Sequence, residues 1–234
     1  MLRRTPKSKS LTLDEQLQRM QSDWDRRARE NARHFVDTSR TDWTDQDFFA
    51  SGEQAIAEQI LTDTENVYQG RDPAQMRILE IGCGAGRLTR ALSNIFGDVH
   101  AVDVSGEMVA RARVALHDRP NITLYQNNGC DLVVVPPLAF DFAYSSHVFQ
   151  HIPSREIIES YVREVYRLLR PGALFKFQVQ GTPIEDSSPD DTWHGVCFNH
   201  EQVSAMAQRC GFEHRYSAGQ GRVYFWQWFF KPLA

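Results

Sequence analysis

The 234-residue sequence has no long apolar run. No stretch approaches the roughly 18 consecutive apolar residues that mark a membrane-spanning helix. The basic segment MLRRTPKSKS at the N-terminus is not followed by the apolar run of a secretory signal peptide. We therefore expect a cytoplasmic protein with no membrane partner, in which Arg3, Arg4, Lys7 and Lys9 belong to a solvated tail.

Cysteine is scarce, and an excess of positive charge is missing. The four cysteines, Cys83, Cys130, Cys197 and Cys210, form no CxxC pair, which disfavours a zinc cage or a disulfide framework. Free thiols in a reducing compartment fit this spacing best. The formal net charge is −4, whereas a nucleic-acid-binding protein usually carries a plain basic footprint. We therefore expect no metal site and no nucleic-acid partner.

Strand and helix patterns alternate from residue 77 onwards. Short apolar runs predict five strands, at 77–81, 99–104, 122–126, 140–145 and 173–180, with helical stretches at 87–96, 106–117 and 154–169. This alternation predicts a parallel sheet with helices on both faces. After a helix at 200–210, two last strands at 213–217 and 223–230 predict a closing hairpin, which adds an antiparallel strand.

The N-terminal part of the chain has a different pattern. Apolar residues recur at helical steps from Leu13 onwards, behind Thr12 and Glu15, whose spacing is that of a capping box. A second helical stretch covers residues 45–61, and we expect it to break near Ser51-Gly52.

We interpret residues 1–50 as a helical appendage that acts as a lid, and residues 51–234 as the core domain. The loop 181–198 is longer than a simple connection requires, so we expect it to close over the site together with the lid. Its acidic residues match no compact metal-ligand spacing: Glu185, Asp186, Asp190 and Asp191.

A glycine-rich turn follows the first predicted strand. Gly82, Gly84 and Gly86 allow a tight turn and a close approach of ligand to backbone. The dinucleotide fingerprint would need a small residue at position 87 or 89, and these positions hold Arg87 and Thr89. The spacing therefore disfavours a nicotinamide cofactor.

Acidic and amide side chains accompany this turn. Glu80 would repel a pyrophosphate but would suit a cationic amino group. Asp103 ends the second strand, where a carboxylate can accept hydrogen bonds from both hydroxyls of a ribose. Asn128-Gly129-Cys130 follows the third strand, at the edge expected to face an adenine. A ligand with an amine, a ribose diol and an adenine but no phosphate is S-adenosylmethionine, which we predict as the cofactor.

Four ordered segments resemble motifs of the class I S-adenosylmethionine-dependent methyltransferases. They are ILEIGCGAGRLTRAL at 78–92 (motif I), AVDVSGEM at 101–108 (the ribose motif), FDFAYSSHVFQHIP at 140–153 (the fourth-strand motif of small-molecule members) and LLRPGALFKF at 168–177, which leads into the fifth strand. The resemblance covers roughly residues 50–234. It implies an α/β, three-layer, Rossmann-like sandwich with a seven-stranded, mostly parallel sheet and an antiparallel C-terminal hairpin, and methyl transfer as the default reaction.

The resemblance also implies a set of cofactor-binding residues. The family usually has an acid on the adenine side, where Asn128 aligns here and Asp131 is the nearest carboxylate. We expect Cys83 to contribute its backbone rather than its thiol. The expected cofactor-binding residues are Glu80, Gly82, Cys83, Gly84, Gly86, Arg87, Asp103, Val104, Met108, Asn128, Gly129, Cys130 and Ser145.

Two histidines follow the fourth strand, on the rim where an acceptor should enter. His147 or His151 could take a proton from an oxygen or nitrogen acceptor, because histidine titrates near neutral pH. The alternative is that His151 only fixes its loop. The residues expected around the substrate or in the lid are Trp24, Phe49, Ser146, Trp193 and His194.

These observations predict a methyltransferase that acts on an oxygen or nitrogen of a small molecule. One alternative is a non-catalytic module that keeps S-adenosylmethionine as a structural ligand. Another is a nucleic-acid methyltransferase, which is disfavoured because residues 144–147 read YSSH and not the Asn/Asp-Pro-Pro-aromatic tetrad of enzymes that methylate base amines.

Overall fold

The computed structural model describes residues 11–183 and 192–233. Two groups of residues singled out in the sequence lie outside this part of the chain. They are the basic residues of the tail (Arg3, Arg4, Lys7 and Lys9) and the acidic residues of the long loop (Glu185, Asp186, Asp190 and Asp191).

The described residues form one seven-stranded sheet. Its strands are β1 (Arg77–Ile81), β2 (Asp98–Asp103), β3 (Ile122–Gln126), β4 (Phe140–Ser145), β5 (Leu169–Gln180), β6 (Glu213–Ala218) and β7 (Tyr224–Phe230). The strand order is β3-β2-β1-β4-β5-β7-β6. The first five strands are parallel, and β7 runs antiparallel to both β5 and β6. The predicted mostly parallel sheet with a reversed C-terminal hairpin is confirmed.

Helices cover both faces of this sheet. They are α1 (Leu13–Val36), α2 (Asp45–Gln59), α3 (Thr64–Tyr68), α4 (Arg87–Ser93), α5 (Gly106–Ala115), α6 (Arg155–Leu168) and α7 (His200–Arg209). Successive residues of β4 belong to different hydrophobic clusters: Ala143 packs with α6 and α7, and Tyr144 packs with α2 and α4. The result is the predicted three-layer α/β sandwich. None of the described helices is long and apolar enough to span a bilayer.

The first helix begins as the sequence predicts. The Thr12 hydroxyl accepts a hydrogen bond from the Glu15 amide, and the Glu15 carboxylate accepts one from the Thr12 amide, so the capping box is confirmed. The helix bends at Asn31, whose φ of −163° and ψ of 84° are not helical. The Asn31 side chain bonds to the Thr41 carbonyl, which holds this bend.

Two predicted boundaries differ from the structure. Strand β5 begins at Leu169 rather than at residue 173. Helix α2 continues from Asp45 to Gln59, so the predicted break at Ser51-Gly52 is wrong. The physical reason is a close helix crossing, because a Cβ on Gly52 would lie 2.2 Å from the Arg87 carbonyl oxygen of α4. The predicted domain boundary at residue 50 falls inside α2, and the division of the chain there stays a prediction.

This crossing makes residue 52 sensitive to a single added methyl group. We expect Gly52→Ala to lower the free energy of unfolding by about 1–3 kcal/mol, the usual effect of overpacking. The melting temperature should fall by about 2–4 °C for each kcal/mol in a chain of this size. The matched control is Glu53→Ala, an exposed position on the same helix, which should stay within about 0.5 kcal/mol of the parent. Equal stability of both variants would contradict the close crossing.

Candidate functional site

A cavity of about 370 Å³ lies at the carboxyl ends of the parallel strands. Its walls come from the turn after β1, the end of β2, the segment after β4, one side of α1, and Trp193 and His194. Open α/β sheets bind their ligands at this edge, outside the carboxyl ends of the strands. The cavity is therefore the place to examine the residues singled out in the sequence.

Most of those residues line this cavity. They are Trp24, Glu80, Gly82, Cys83, Gly84, Arg87, Asp103, Val104, Met108, Ser146, His147, His151, Trp193 and His194. The others lie outside its lining: Phe49, Gly86, Asn128, Gly129, Cys130 and Ser145. Cavity residues that sequence reasoning missed include Met20, Phe35, Val36, Asp37, Asn127, Gln150 and Tyr224.

The glycine turn is bonded to the neighbouring strand. The backbone amides of Gly82 and Cys83 both donate to the Val102 carbonyl, at 2.8 and 3.0 Å. Gly84 has a φ of +51°, and a Cβ there would lie 2.6 Å from the Val36 side chain of α1. Burial raises the pKa of the Cys83 thiol well above its usual value. The Cys83 thiol is therefore un-ionised near neutral pH, and the positive φ of Gly84 together with its contact with Val36 requires glycine at that position. The use of the Cys83 backbone by a ligand stays a prediction.

Gly86 and Ser145 support the site from outside. A Cβ on Gly86 would lie 2.7 Å from Leu116, so this glycine allows helix packing rather than ligand contact. The Ser145 hydroxyl donates to the Ile81 carbonyl at 3.0 Å and joins β4 to β1 just below the glycine turn.

Asp103 is held by the turn that it faces. Its two carboxylate oxygens accept hydrogen bonds from the amides of Gly84 and Ser105, each at 2.9 Å. Each oxygen has a second lone pair, so the carboxylate can also accept from a pair of ligand hydroxyls. Burial raises the pKa of Asp103 to about 6. A ligand that donates hydrogen bonds would favour the ionised form.

Glu80 is buried on the cavity wall, and only 2% of its surface is exposed. The Thr89 hydroxyl donates to one carboxyl oxygen at 2.6 Å. Burial raises the pKa of this carboxyl to about 8. A buried acid with a raised pKa becomes ionised when a cation arrives beside it, so the position suits the ammonium group inferred from the sequence.

Arg87 places a guanidinium group in the same cavity as the carboxyl groups of Glu80 and Asp103. Its side chain is almost fully buried, and its Nε has no hydrogen-bond partner among the described residues. One terminal nitrogen lies 3.5 Å from a carboxylate oxygen of Asp37 and 3.4 Å from the Ser51 carbonyl oxygen. Burial lowers the pKa of this arginine. A buried guanidinium with an unused N–H is suited to bind an anionic group of a ligand.

On the third strand the structure differs from the sequence alignment by one residue. The Asn128 side chain turns back into its own loop and accepts hydrogen bonds from the amides of Cys130 and Asp131, each at 3.0 Å. Asn127 lines the cavity instead, and its amide nitrogen donates to the Tyr161 hydroxyl at 2.7 Å. Within the described chain its buried Oδ1 has no partner, so it can accept from an exocyclic amine. Asn127 comes directly after β3 in the sequence, and this position is the signal that could have identified it as a cavity residue.

The two histidines differ in environment. His147 has a φ of +59°, and its ring centroid lies 4.8 Å from that of Tyr224. Burial, together with the nearby Arg87 charge, lowers the pKa of His147 to about 4. A positive φ in a non-glycine residue is strained, and such strain is often stored at functional sites.

His151 is oriented by its hydrogen bonds. Its Nδ1 lies 2.6 Å from the Trp193 carbonyl oxygen. A carbonyl can only accept, so Nδ1 carries the hydrogen and Nε2 has the lone pair. Burial lowers the pKa of His151 to about 4. The ring is therefore neutral near pH 7, and its Nε2 lone pair faces the side-chain nitrogen of Gln150 at 3.3 Å.

Aromatic side chains surround His151. Trp24 and Trp193 have ring centroids 5.2 and 5.0 Å from the imidazole, and Phe35 lies 5.9 Å from Trp193. Phe49 was expected near the substrate but is buried elsewhere, with the Arg90 guanidinium 4.4 Å from its ring centroid. Helix α2 places Phe49 in a hydrophobic cluster with residues of α1 and α5, among them Ala28, Ala32 and Ala112.

Known proteins are similar to parts of this chain in sequence. The sequence model of the family described as Methyltransferase domain matches residues 79–177. A ubiquinone biosynthesis O-methyltransferase of Xanthomonas campestris pv. campestris (strain B100) is 30% identical over 109 residues, which cover 46% of this chain and 44% of that relative. The chain thus matches less than half the length of this relative.

Two solved structures share the fold over most of the chain. The DhpI–SAH complex has a TM-score of 0.65 at 19% identity, and covers 94% of this chain and 99% of its own. The [4+2]-cyclase SpnF has a TM-score of 0.59 at 16% identity, and covers 78% of this chain and 80% of its own. The matching domain at residues 79–177, the sheet topology and the motifs gathered in one cavity support a class I, Rossmann-like S-adenosylmethionine-dependent methyltransferase.

Proposed function

We propose that this protein transfers the methyl group of S-adenosylmethionine to an oxygen or nitrogen of a small-molecule acceptor. The observation that carries the proposal is that one cavity joins the ionisable groups of Glu80, Arg87 and Asp103 to the oriented imidazole of His151. When bound, the cofactor would supply an electrophilic methyl group on a sulfonium.

Each polar part of the cofactor has a fitting group in the cavity. Glu80 would receive the ammonium group, and Arg87 the carboxylate, through its unused Nε–H. Asp103 would accept from the ribose hydroxyls. Asn127 would accept from the adenine amine through its orphaned Oδ1. Two buried polar atoms that have no partner among the described residues would thus be explained by one ligand, which supports the cofactor assignment.

The acceptor side of the cavity favours a flat, hydroxyl-bearing molecule. Its walls include the rings of Trp24, Phe35, Trp193 and Tyr224, which suit an aromatic ring. His151 can take the proton of an acceptor hydroxyl as the new bond forms. The Xanthomonas relative is named an O-methyltransferase, which also favours oxygen.

The main contribution of the protein to the rate would be alignment. Binding donor and acceptor in one cavity converts a bimolecular step into an effectively unimolecular one, which can supply several kcal/mol. Helix α1 and residues 192–194 cover the cavity and would keep water away. We propose that these two parts form the lid and most of the acceptor pocket.

A second chemistry has one observation in its favour. The fold is shared with a protein described as a [4+2]-cyclase, so the fold alone does not require methyl transfer. Turnover of the cofactor separates a methyltransferase from a protein that keeps S-adenosylmethionine as a structural ligand.

The cofactor assignment predicts a thermal shift. S-adenosylhomocysteine at about 100 times its dissociation constant should stabilise the fold by about 2.7 kcal/mol, which raises the melting temperature by roughly 5–10 °C. The matched ligand is NAD at the same concentration, which should cause little change. A larger shift with NAD would contradict the assignment.

The catalytic assignment predicts a separation of binding from turnover. With methyl-labelled S-adenosylmethionine and a panel of phenols, catechols and amines, His151→Gln should reduce transfer by about 10²–10⁴-fold. Its affinity for S-adenosylhomocysteine, measured by calorimetry, should match that of the parent. If the variant transferred label at the parental rate, His151 would not be the base.

The raised pKa of Glu80 predicts proton release on cofactor binding. Burial raises this pKa to about 8, so the carboxyl is mostly protonated at neutral pH. A bound ammonium lowers the pKa, so binding releases the proton, and affinity for S-adenosylhomocysteine should rise from about pH 6 to about pH 8.

Calorimetry in buffers of different ionisation enthalpy measures this proton release. At about pH 8, where Asp103 with its pKa of about 6 is already ionised, Glu80→Gln should abolish it. Methylthioadenosine, which has no ammonium group, is the matched ligand and should bind the parent at this pH without releasing a proton. Equal proton release by the parent and Glu80→Gln would place the titrating group elsewhere.

A further inference from the structure

Both ring nitrogens of His151 meet polar groups of the protein. Nδ1 donates to the Trp193 carbonyl at 2.6 Å, and Nε2 lies 3.3 Å from the side-chain nitrogen of Gln150. The first contact fixes the hydrogen on Nδ1, because a carbonyl has none to donate. The residues that hold Trp193 and Gln150 in place therefore determine where the Nε2 lone pair of His151 points.

The Trp193 carbonyl is held by α1. The Thr192 hydroxyl donates to an Asp23 carboxylate oxygen at 2.8 Å, and an Arg27 terminal nitrogen donates to the Thr192 carbonyl at 3.2 Å. The Arg27 guanidinium also lies 5.2 Å from the ring centroid of Trp193, which is within the range of a cation–π contact. Two polar residues of one helix thus fix the backbone that Nδ1 binds.

The partner of Nε2 is held from the sheet. Gln178, fully buried on β5, donates from its side-chain nitrogen to the Gln150 side-chain oxygen at 2.7 Å. The amide nitrogen of Gln150 is therefore the end that faces the lone pair of Nε2. This orientation of the Gln150 amide agrees with a hydrogen on Nδ1 of His151. If the amide were reversed, its oxygen would face the Nε2 lone pair, and two acceptors would oppose each other.

We propose that Arg27 and Gln178 are positioning residues for His151, which act through Trp193 and Gln150 to keep the ring in its Nδ1–H form with the Nε2 lone pair toward the Gln150 amide, whose place an acceptor hydroxyl would take. The use of that lone pair in methyl transfer rests on the proposed function, whereas the position of the hydrogen is a property of the protein alone. The orientation of the base thus depends on α1 packing against residues 192–193.

The position of the hydrogen can be read directly by nuclear magnetic resonance. Long-range ¹H–¹⁵N correlation spectra of protein labelled with ¹⁵N-histidine distinguish a protonated ring nitrogen from an unprotonated one. The His151 signals are assigned by their loss in His151→Gln. We expect the parent protein near pH 7 to show a protonated Nδ1 and an unprotonated Nε2. A hydrogen on Nε2 would overturn the proposal.

Three variants then each remove one contact from the two series of hydrogen bonds that hold His151. Thr192→Val removes the bond to Asp23 with little change in volume, Arg27→Met removes the guanidinium, and Gln178→Met removes the amide that holds Gln150. We expect each to shift the two His151 nitrogen signals toward intermediate values, which report a mixture of the two forms. Parental signals in all three variants would overturn the proposal, and parental signals in Gln178→Met alone would remove Gln178 from this role.

Two matched controls test for general damage. Arg29→Met makes the same charge change on the same helix, at a residue that contacts Glu107 instead. Gln227→Met removes a fully buried glutamine from the neighbouring strand β7. Both controls should keep the parental signals of His151. If they shifted these signals as much as Arg27→Met and Gln178→Met do, the effect would be general loosening and the proposal would fail.

Activity gives an independent readout. Once an acceptor is known, Arg27→Met should lower kcat by about tenfold, less than the loss expected for His151→Gln, with unchanged affinity for S-adenosylhomocysteine. If the parent protein transferred no methyl group but kept the Nδ1–H form, and the variants lost it, the proposed function would fail while the positioning role would stand.

Discussion

Desolvation of ionisable groups at the carboxyl edge of the sheet is the constraint on which the rest of the site depends. It raises the pKa of Glu80 to about 8 and that of Asp103 to about 6, and it lowers the pKa of His151 to about 4. All three shifts favour the uncharged forms, as burial does when no ligand compensates. The two acids would regain their charge beside a ligand that brings a cation or hydrogen-bond donors, whereas the imidazole stays neutral near pH 7.

The first helix joins the two halves of this site. An Asp25 carboxylate oxygen accepts from the Ser105 hydroxyl at 2.6 Å and from the Glu107 amide at 3.2 Å, and so binds the start of α5 beside Asp103. The same helix holds the Trp193 carbonyl through Asp23 and Arg27. A helix that looks like an appendage in the sequence thus contacts both the cofactor side and the acceptor side. The burial of Arg27, at 7% exposure, shows how closely the helix packs there.

Local patterns made the sheet and the glycine turn predictable, because the residues that define them are neighbours in sequence. Contacts between distant elements could not be predicted this way. In the sequence, Gly52 suggests a helix break. In the structure it accommodates the carbonyl of Arg87, and this contact is hidden from the sequence because Arg87 lies on another helix. Asn127 was missed by one residue, because only the fold shows which of two adjacent asparagines faces the cavity. Phe49 is an aromatic residue of the kind expected in a lid, but the direction of its side chain depends on the packing of α2.

The bend at Asn31 divides α1 into two segments, which contact different parts of the site. The segment before the bend carries Asp23, Asp25 and Arg27, which hold the cofactor side and the histidine backbone partner in place. The segment after it carries Phe35, which faces the acceptor wall beside Trp193. A substitution at Phe35 would reshape the proposed acceptor wall, whereas its neighbour Val36 packs against Gly84 of the glycine turn. The molecule that is modified could therefore change through one position of this turn while the glycine turn keeps its contact with α1.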